Sequence, residues 1–301
     1  MIRFPKPFLA ALASFAFACS AFAGDKIEED IVYAKRGDRE MKLDAFIPAG
    51  ESAGKRPAIL FIHGGGWVGG DKRDFRPFIP KFTEAGYACF SAAYRLVGKD
   101  GSNAYPAPAD DVREALRWLR AHAGRFGIDP QRIAACGASA GGHLASLLGT
   151  EGAAPGESDP GRAAAVIDIF GPSDLTPDFR KTIGGEAGNW VQNLVDGLLG
   201  KPAAENQDLA KKVSPLFHVT KDAAPHLIVH GDMDPIVPVD QSVRYHAALK
   251  SAASPPSSSA FRRGAFAQPK CGEPGALLQG DARLPRKASE EVAADPPPPD
   301  L

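Results

Sequence analysis

The chain has 301 residues, of which 44% are hydrophobic and 24% charged, with a formal net charge of -1. That length can bury a sizeable core and suits one globular domain behind a short leader. Near-neutral charge argues against nucleic acid or an anionic membrane surface as the main partner.

The first 23 residues stand apart. Arg3 and Lys6 precede the apolar run FLAALASFAFA, and AFA at Ala21–Ala23 offers small residues for cleavage. This pattern predicts a secretory signal peptide cut near Ala23 and a protein exported to the periplasm or beyond the cell. Cys19 raises a lipid anchor as the alternative, but the residues around it lack the Leu usual before such a cysteine. No later segment is long and apolar enough to span a membrane.

From Asp30, DIVYAKRGDREMKLDAFIP predicts two strands around a turn at Gly37-Asp38. PAILFIHGGGW is a continuous apolar run ending in glycines, the pattern of a strand buried on both faces. FRPFIPKFTEAG reads as a helix and YACFSAAYRL as the next buried strand. ADDVREALRWLRAH places Val112, Ala115, Leu116 and Leu119 at helical spacing, with Asp110 and Asp111 in the first turn. RIAACGAS is a further strand, followed by the helix AGGHLASLLG; AAAVIDIFG and PHLIVHGD are two more strands. Strands alternating with helices predict an α/β fold, a mostly parallel sheet with helices on both faces. Residues 172–214 interrupt the alternation with a Gly-rich, partly helical insertion, a candidate lid. Trp190 and Phe179 lie in it, as packing residues or as walls of an acyl pocket. Cys89 and Cys136 sit in apolar strands and read as small buried hydrophobes. Residues 24–250 would form the domain.

Three motifs carry chemistry. Gly137-Ala138-Ser139-Ala140-Gly141 fits G-x-S-x-G between a predicted strand and a predicted helix. There a sharp turn would project the serine hydroxyl above the sheet at the positive end of the helix. His63–Trp67, HGGGW, ends an earlier strand. Its glycine N–H groups, at Gly65 and Gly66, could join that of Ala140 as donors to an oxyanion, because no side chain blocks close approach. A carboxylate after the PHLIVHG strand could orient an imidazole. Asp234 is the candidate, with Asp232 expected to tie the loop through bonds to backbone N–H groups.

With YPAPADDVREALRWL between them, HGGGW, GASAGG and HGDMDPIVP resemble the α/β-hydrolase superfamily over roughly residues 30–250. The nearest resemblance is to the acetyl-esterase and lipase-like group, with hormone-sensitive-lipase and feruloyl-esterase-like relatives. It implies an eight-stranded α/β-hydrolase fold and serine esterase chemistry, with no cofactor and no metal. The implied partner is a small-molecule or polysaccharide-linked ester of short acyl, acetyl or feruloyl type. It also implies that the strand ending at His63 lies between those of Cys89 and Cys136, which places the two thiols beyond disulfide reach. A prolyl-oligopeptidase-like serine peptidase shares a similar elbow, but HGGGW and the lack of a propeller-like N-terminal region count against it.

The sequence departs from the family where a histidine should follow the acid. All seven histidines, His63, His122, His143, His218, His226, His230 and His246, stand at or before position 246. His246 falls on a helix, His143 follows Ser139 along the elbow helix, and His63 reads as a brace for the glycine loop. Residues 251–301 hold one Val, no Ile, Trp or Tyr, and nine prolines, and predict no strand, only a disordered tail. The PHLIVHG strand would then be an unprotected edge. A reading-frame slip near residue 250 would explain the tail. Read one base later, codons allowed for Gly264–Pro269 can spell Ala-His-Ser-His-Ser, with the first histidine about 31 residues after Asp234. A genuine extension, leaving a catalytically inactive hydrolase-like chain, is the competing reading.

Overall fold

Strand β3 (Arg56–Ile62) shows how the molecule is layered. Ala58, Leu60 and Ile62 point into one core cluster, which includes Leu116 of α2 (Ala107–Ala121) and Leu144 of α4 (Ala140–Thr150). The alternate residues Ile59 and Phe61 point into a second cluster with Ile79 of α1 (Ile79–Glu84) and the partly buried Phe82. A strand apolar at every position is therefore covered on both faces, as its composition requires.

The structure is a computed structural model and describes residues 24–50, 52–151, 161–252 and 260–264. All of these fall within one compact unit. The expected signal peptide and Cys271 lie outside the described residues. Among them an eight-stranded sheet runs in the order β1-β2-β4-β3-β5-β6-β7-β8. β1 (Lys26–Arg36) and β2 (Arg39–Ile47) form the expected antiparallel hairpin, with Gly37 at φ +59° in its turn. β2 joins β4 (Ala88–Ala92) antiparallel. From there the ladder is parallel through β3, β5 (Ile128–Ala138), β6 (Val166–Ile169) and β7 (His226–Gly231).

Cys89 pairs with Ile59 and Cys136 with Phe61, on opposite sides of β3, and both thiols are free and buried. The helix expected across FRPFIPKFTEAG is only α1. Pro77 disfavours helical backbone at the residue before it, and Gly86, at φ +91°, follows the helix end. Asp111 does more than begin α2. Its fully buried carboxylate accepts from the guanidinium and the backbone N–H of Arg95 and from Arg36, tying the helix to β1 and to the segment after β4.

After the short α3 (Ala123–Phe126), the insertion contains α5 (Phe179–Thr182), α6 (Gly185–Leu199) and α7 (Gln207–Lys212). α8 (Asp240–Ala252) then covers β7 through Tyr245 and Leu249.

The tail requires a correction. Ala260–Gly264 forms β8, parallel to β7, with register from Leu227↔Ala260 to Gly231↔Gly264. β7 is therefore not an open edge, and the ground for expecting one is removed. Strand addition is driven by backbone N–H and C=O groups, which composition does not reveal. Phe261 also packs against the Ile228, Tyr245 and Leu249 cluster, a contact that a single apolar residue in a polar segment does not advertise.

Candidate active site

β5 ends and α4 begins at Ser139, which holds φ +54° and ψ -122°. A non-glycine residue with positive φ costs about 1–3 kcal/mol and persists only where its surroundings enforce it. Here the enforcement is visible. Ser139 donates its backbone N–H to the Ile169 carbonyl of β6, and its own carbonyl accepts from His143 N–H. On either side the glycines are obligatory: a Cβ on Gly137 would stand 2.1 Å from the Gly141 carbonyl oxygen. One on Gly141 would stand 2.0 Å from that of Ile62. Gly141→Ala should therefore lose about 3 kcal/mol of stability by urea titration, although alanine is the better helix former. An unchanged midpoint would contradict this packing.

The glycine loop runs along the elbow. A Cβ on Gly64 would meet the Ala138 carbonyl at 2.9 Å and the Ser139 side chain at 3.5 Å. Gly65 and Gly66 take φ of +103° and +59°, and Gly65 accepts N–H bonds from Val68 and Gly69, closing a tight turn. His63 is buried beneath this turn, stacked on Tyr94 with ring centroids 4.2 Å apart. The Tyr94 hydroxyl donates to the His63 carbonyl.

A cleft of about 440 Å³, open to solvent, lies over Ser139. Gly66, Trp67, Ser139 and Ala140 form its floor. Trp190, Val191, Leu194 and Val195 of α6 form one wall, and Phe179, Ile236 and Val237 contribute to the rest. No lining residue is charged. Leu194 sits so close that a Cβ on Gly66 would be 2.6 Å from its Cδ1. The insertion thus rests directly on the glycine loop, which its irregular sequence did not disclose. Of the sequence candidates, Ser139, Gly66 and Ala140 come together in the cleft. Gly65 supports the turn behind them.

Asp234 stands one step behind the cleft wall, its side chain 1% exposed. One carboxylate oxygen accepts from the N–H groups of Ile236 and Val237, at 2.8 and 2.9 Å. Asp234 thus ties the loop as well, the part expected of Asp232, which is exposed. The other oxygen of Asp234 lies 3.5 Å from Nε2 of His230, a contact absent from the sequence reading.

All seven histidines lie among the described residues, and none lines the cleft. His230 is buried below the acid loop, with Nε2 donating to the Val237 carbonyl and Nδ1 against Ser242 Oγ. His226 has Nδ1 against the Ala224 carbonyl and Nε2 accepting from Tyr245. His122 stacks on Trp118, His218 bonds the Lys212 carbonyl, and His246 lies by Phe261. His143 is held at both nitrogens, by Trp67 and Val213.

Burial sets the ionisation of three of these interior groups. It pushes the imidazoles of His143 and His226 down to about 4 from 6.5, and the Asp168 carboxyl up to about 6 from 3.8. The unfolded chain protonates the two histidines more readily, so they cost stability as pH falls from about 6.5 toward 4, each about 1.4 kcal/mol per unit. Asp168 opposes them: its folded form keeps a proton that the unfolded form releases, so its cost grows as pH rises through about 4–6. Taken alone, these three groups sum to a loss of stability on acidification between pH 6 and 4, of about 1.4 kcal/mol per unit, and burial lowers His63 in the same sense as the other two histidines. Asp168→Asn should steepen that slope in urea titrations. A shallower slope would contradict the opposing sign.

A sequence profile, BD-FAE, matches residues 43–249. The chain belongs to the BD-FAE family. With its eight-stranded sheet and strand-elbow-helix, this BD-FAE chain has the α/β-hydrolase fold. Probable carboxylic ester hydrolase LipM of Mycobacterium tuberculosis is 32% identical over 222 residues, covering 71% of this chain and 49% of LipM. Esterase 2 of Thermogutta terrifontis is 29% identical with a TM-score of 0.63, covering 81% of this chain and 82% of that one. A truncated carbohydrate esterase from gut microbiota is 25% identical with a TM-score of 0.66, covering 79% and 87%. The chain spans about half the length of LipM and of esterase LipQ from the same organism.

Proposed function

We propose that the cleft performs carboxylic ester hydrolysis on small, uncharged acyl groups. Ser139 Oγ attacks the carbonyl carbon, the oxyanion accepts from the N–H groups of Gly66 and Ala140 with Gly65 in support, and the alcohol leaves with the proton that Oγ gives up, passed through solvent in a chain without an imidazole at the cleft. Water then releases the acid from the acyl-serine. The observation that carries this reading is Ser139 at φ +54° on the floor of an apolar cleft beside the glycine loop. Oxyanion donors are worth about 2.7–4 kcal/mol each when fixed in a site of this kind. Asp234 is the acid that would orient a histidine.

The preference for uncharged acyl groups follows from a cleft lined by no charged residue. Esterase 2 of T. terrifontis has been solved with propionate and with butyrate bound, in keeping with short acyl groups. The gut carbohydrate esterase supports a polysaccharide-linked ester as a substrate class. Export after cleavage near Ala23 would place the protein where such polymers occur.

The chain as it stands supplies the nucleophile, the oxyanion donors and the acid but no imidazole at the cleft. A second reading therefore has an observation in its favour: a chain that binds acyl esters with little turnover. p-Nitrophenyl acetate, butyrate and octanoate, assayed beside acetanilide, test the proposal. Slow ester turnover favouring acetate or butyrate, with the anilide untouched, is expected. Preferential anilide cleavage would replace the proposal with a peptidase.

A further inference from the structure

We propose that His143 is a positioning residue that locks the oxyanion loop to the neck of the insertion through a single neutral imidazole. This inference rests on the assignment of Ser139 and the glycine loop made above.

His143 lies one turn into α4 from Ser139 and is completely buried. Two segments distant in sequence meet its ring. The Trp67 indole N–H, from the last residue of HGGGW, donates to Nδ1 at 3.2 Å. Nε2 lies 2.6 Å from the carbonyl oxygen of Val213, the residue that follows α7. The partners dictate the tautomer. An indole N–H only donates, so Nδ1 must accept; a carbonyl only accepts, so Nε2 must carry the proton.

Each partner sits at a mechanically useful point. Trp67 holds φ +62° directly after Gly66, so fixing its indole fixes the end of the loop that presents the oxyanion donors. Val213 lies where the insertion rejoins the body. There Leu175 N–H donates to Ser214 Oγ, and the N–H groups of Ser173 and Asp174 donate to Gln241 Oε1 on α8. Both ends of the insertion are thus pinned side by side, and His143 adds a bond from this neck to the elbow helix. Since α6 of the same insertion walls the cleft, the imidazole holds floor and wall in one register. An apolar residue at 143 would leave a buried N–H and a buried C=O without partners, each costing about 1–3 kcal/mol.

The test pairs a spectroscopic readout with a rate. In the full chain with 15N-labelled histidine, long-range 1H–15N spectra should show one imidazole with bare Nδ1 and protonated Nε2. Its signals should move in Trp67→Phe, which removes the indole N–H and keeps an aromatic ring at that position. Labelling of Ser139 by a fluorophosphonate should slow about tenfold in Trp67→Phe and in His143→Ala, no further in the double variant, and recover in part in His143→Gln. Trp67→Phe keeps the test open if His143→Ala fails to fold. An Nδ1-protonated His143, or signals unmoved by Trp67→Phe, would overturn the inference. So would wild-type labelling by a folded Trp67→Phe protein. The spectra do not depend on catalysis: no labelling in the parent chain would count against the Ser139 assignment and leave the spectra to decide the role of His143.

Discussion

Reading the codons from residue 264 onward one base later is expected to raise turnover of p-nitrophenyl acetate by about three orders of magnitude. A positioned general base contributes about 10²–10⁴-fold, and it acts with the nucleophile as a unit. The geometry favours the position. Gly264 pairs with Gly231, so the chain leaves β8 beside the loop that carries Asp234. Where the codons of Ala265 and Ala267 end in A, the shifted reading puts histidines at 265 and 267, one and three residues past Gly264. Ala265→His and Ala267→His in the unshifted chain ask the narrower question of whether an imidazole alone suffices, and the better of the two should recover part of the gain. Equal turnover by the shifted and unshifted chains, both folded, would mean that the imidazole is not what the site lacks.

Ser139→Ala should have opposite weights in the two chains. In the shifted chain it should cost at least about 10⁴-fold, because nucleophile, base and oxyanion donors then work together. In the chain as it stands it should cost less than about tenfold. Once one member of such a set is missing, removing another takes little more, and the residual rate comes from binding and oxyanion donors. A thousandfold loss in the unshifted chain would reveal a base already acting on Ser139. Progress curves with p-nitrophenyl acetate, corrected for solvent hydrolysis, measure both values.

The elbow was legible because its geometry is local. Small residues at 137, 138, 140 and 141 between an apolar strand and an apolar helix leave few other conformations for Ser139. HGGGW was legible for the same reason, as was the central strand order through the family resemblance. What escaped depends on residues far apart. The bond from His143 to Val213 spans 70 positions, and the contact of Leu194 with Gly66 spans 128. No local pattern marks either. β8 escaped because a ladder is made by backbone groups, so AFRRG in a proline-rich tail gave no apolar alternation to read. The bonds of Asp234 to its own loop escaped because both carboxylates suit a turn, and only the path of the loop decides which one meets Ile236 and Val237.

The central claim is that Ser139 heads a serine-esterase site short of an imidazole. Intact-mass time courses with a fluorophosphonate, followed by peptide mapping, test it most directly. The result expected is a single adduct on Ser139 in both chains, forming at least about 10²-fold faster in the shifted chain. Equal rates, or an adduct anywhere other than Ser139, would contradict it.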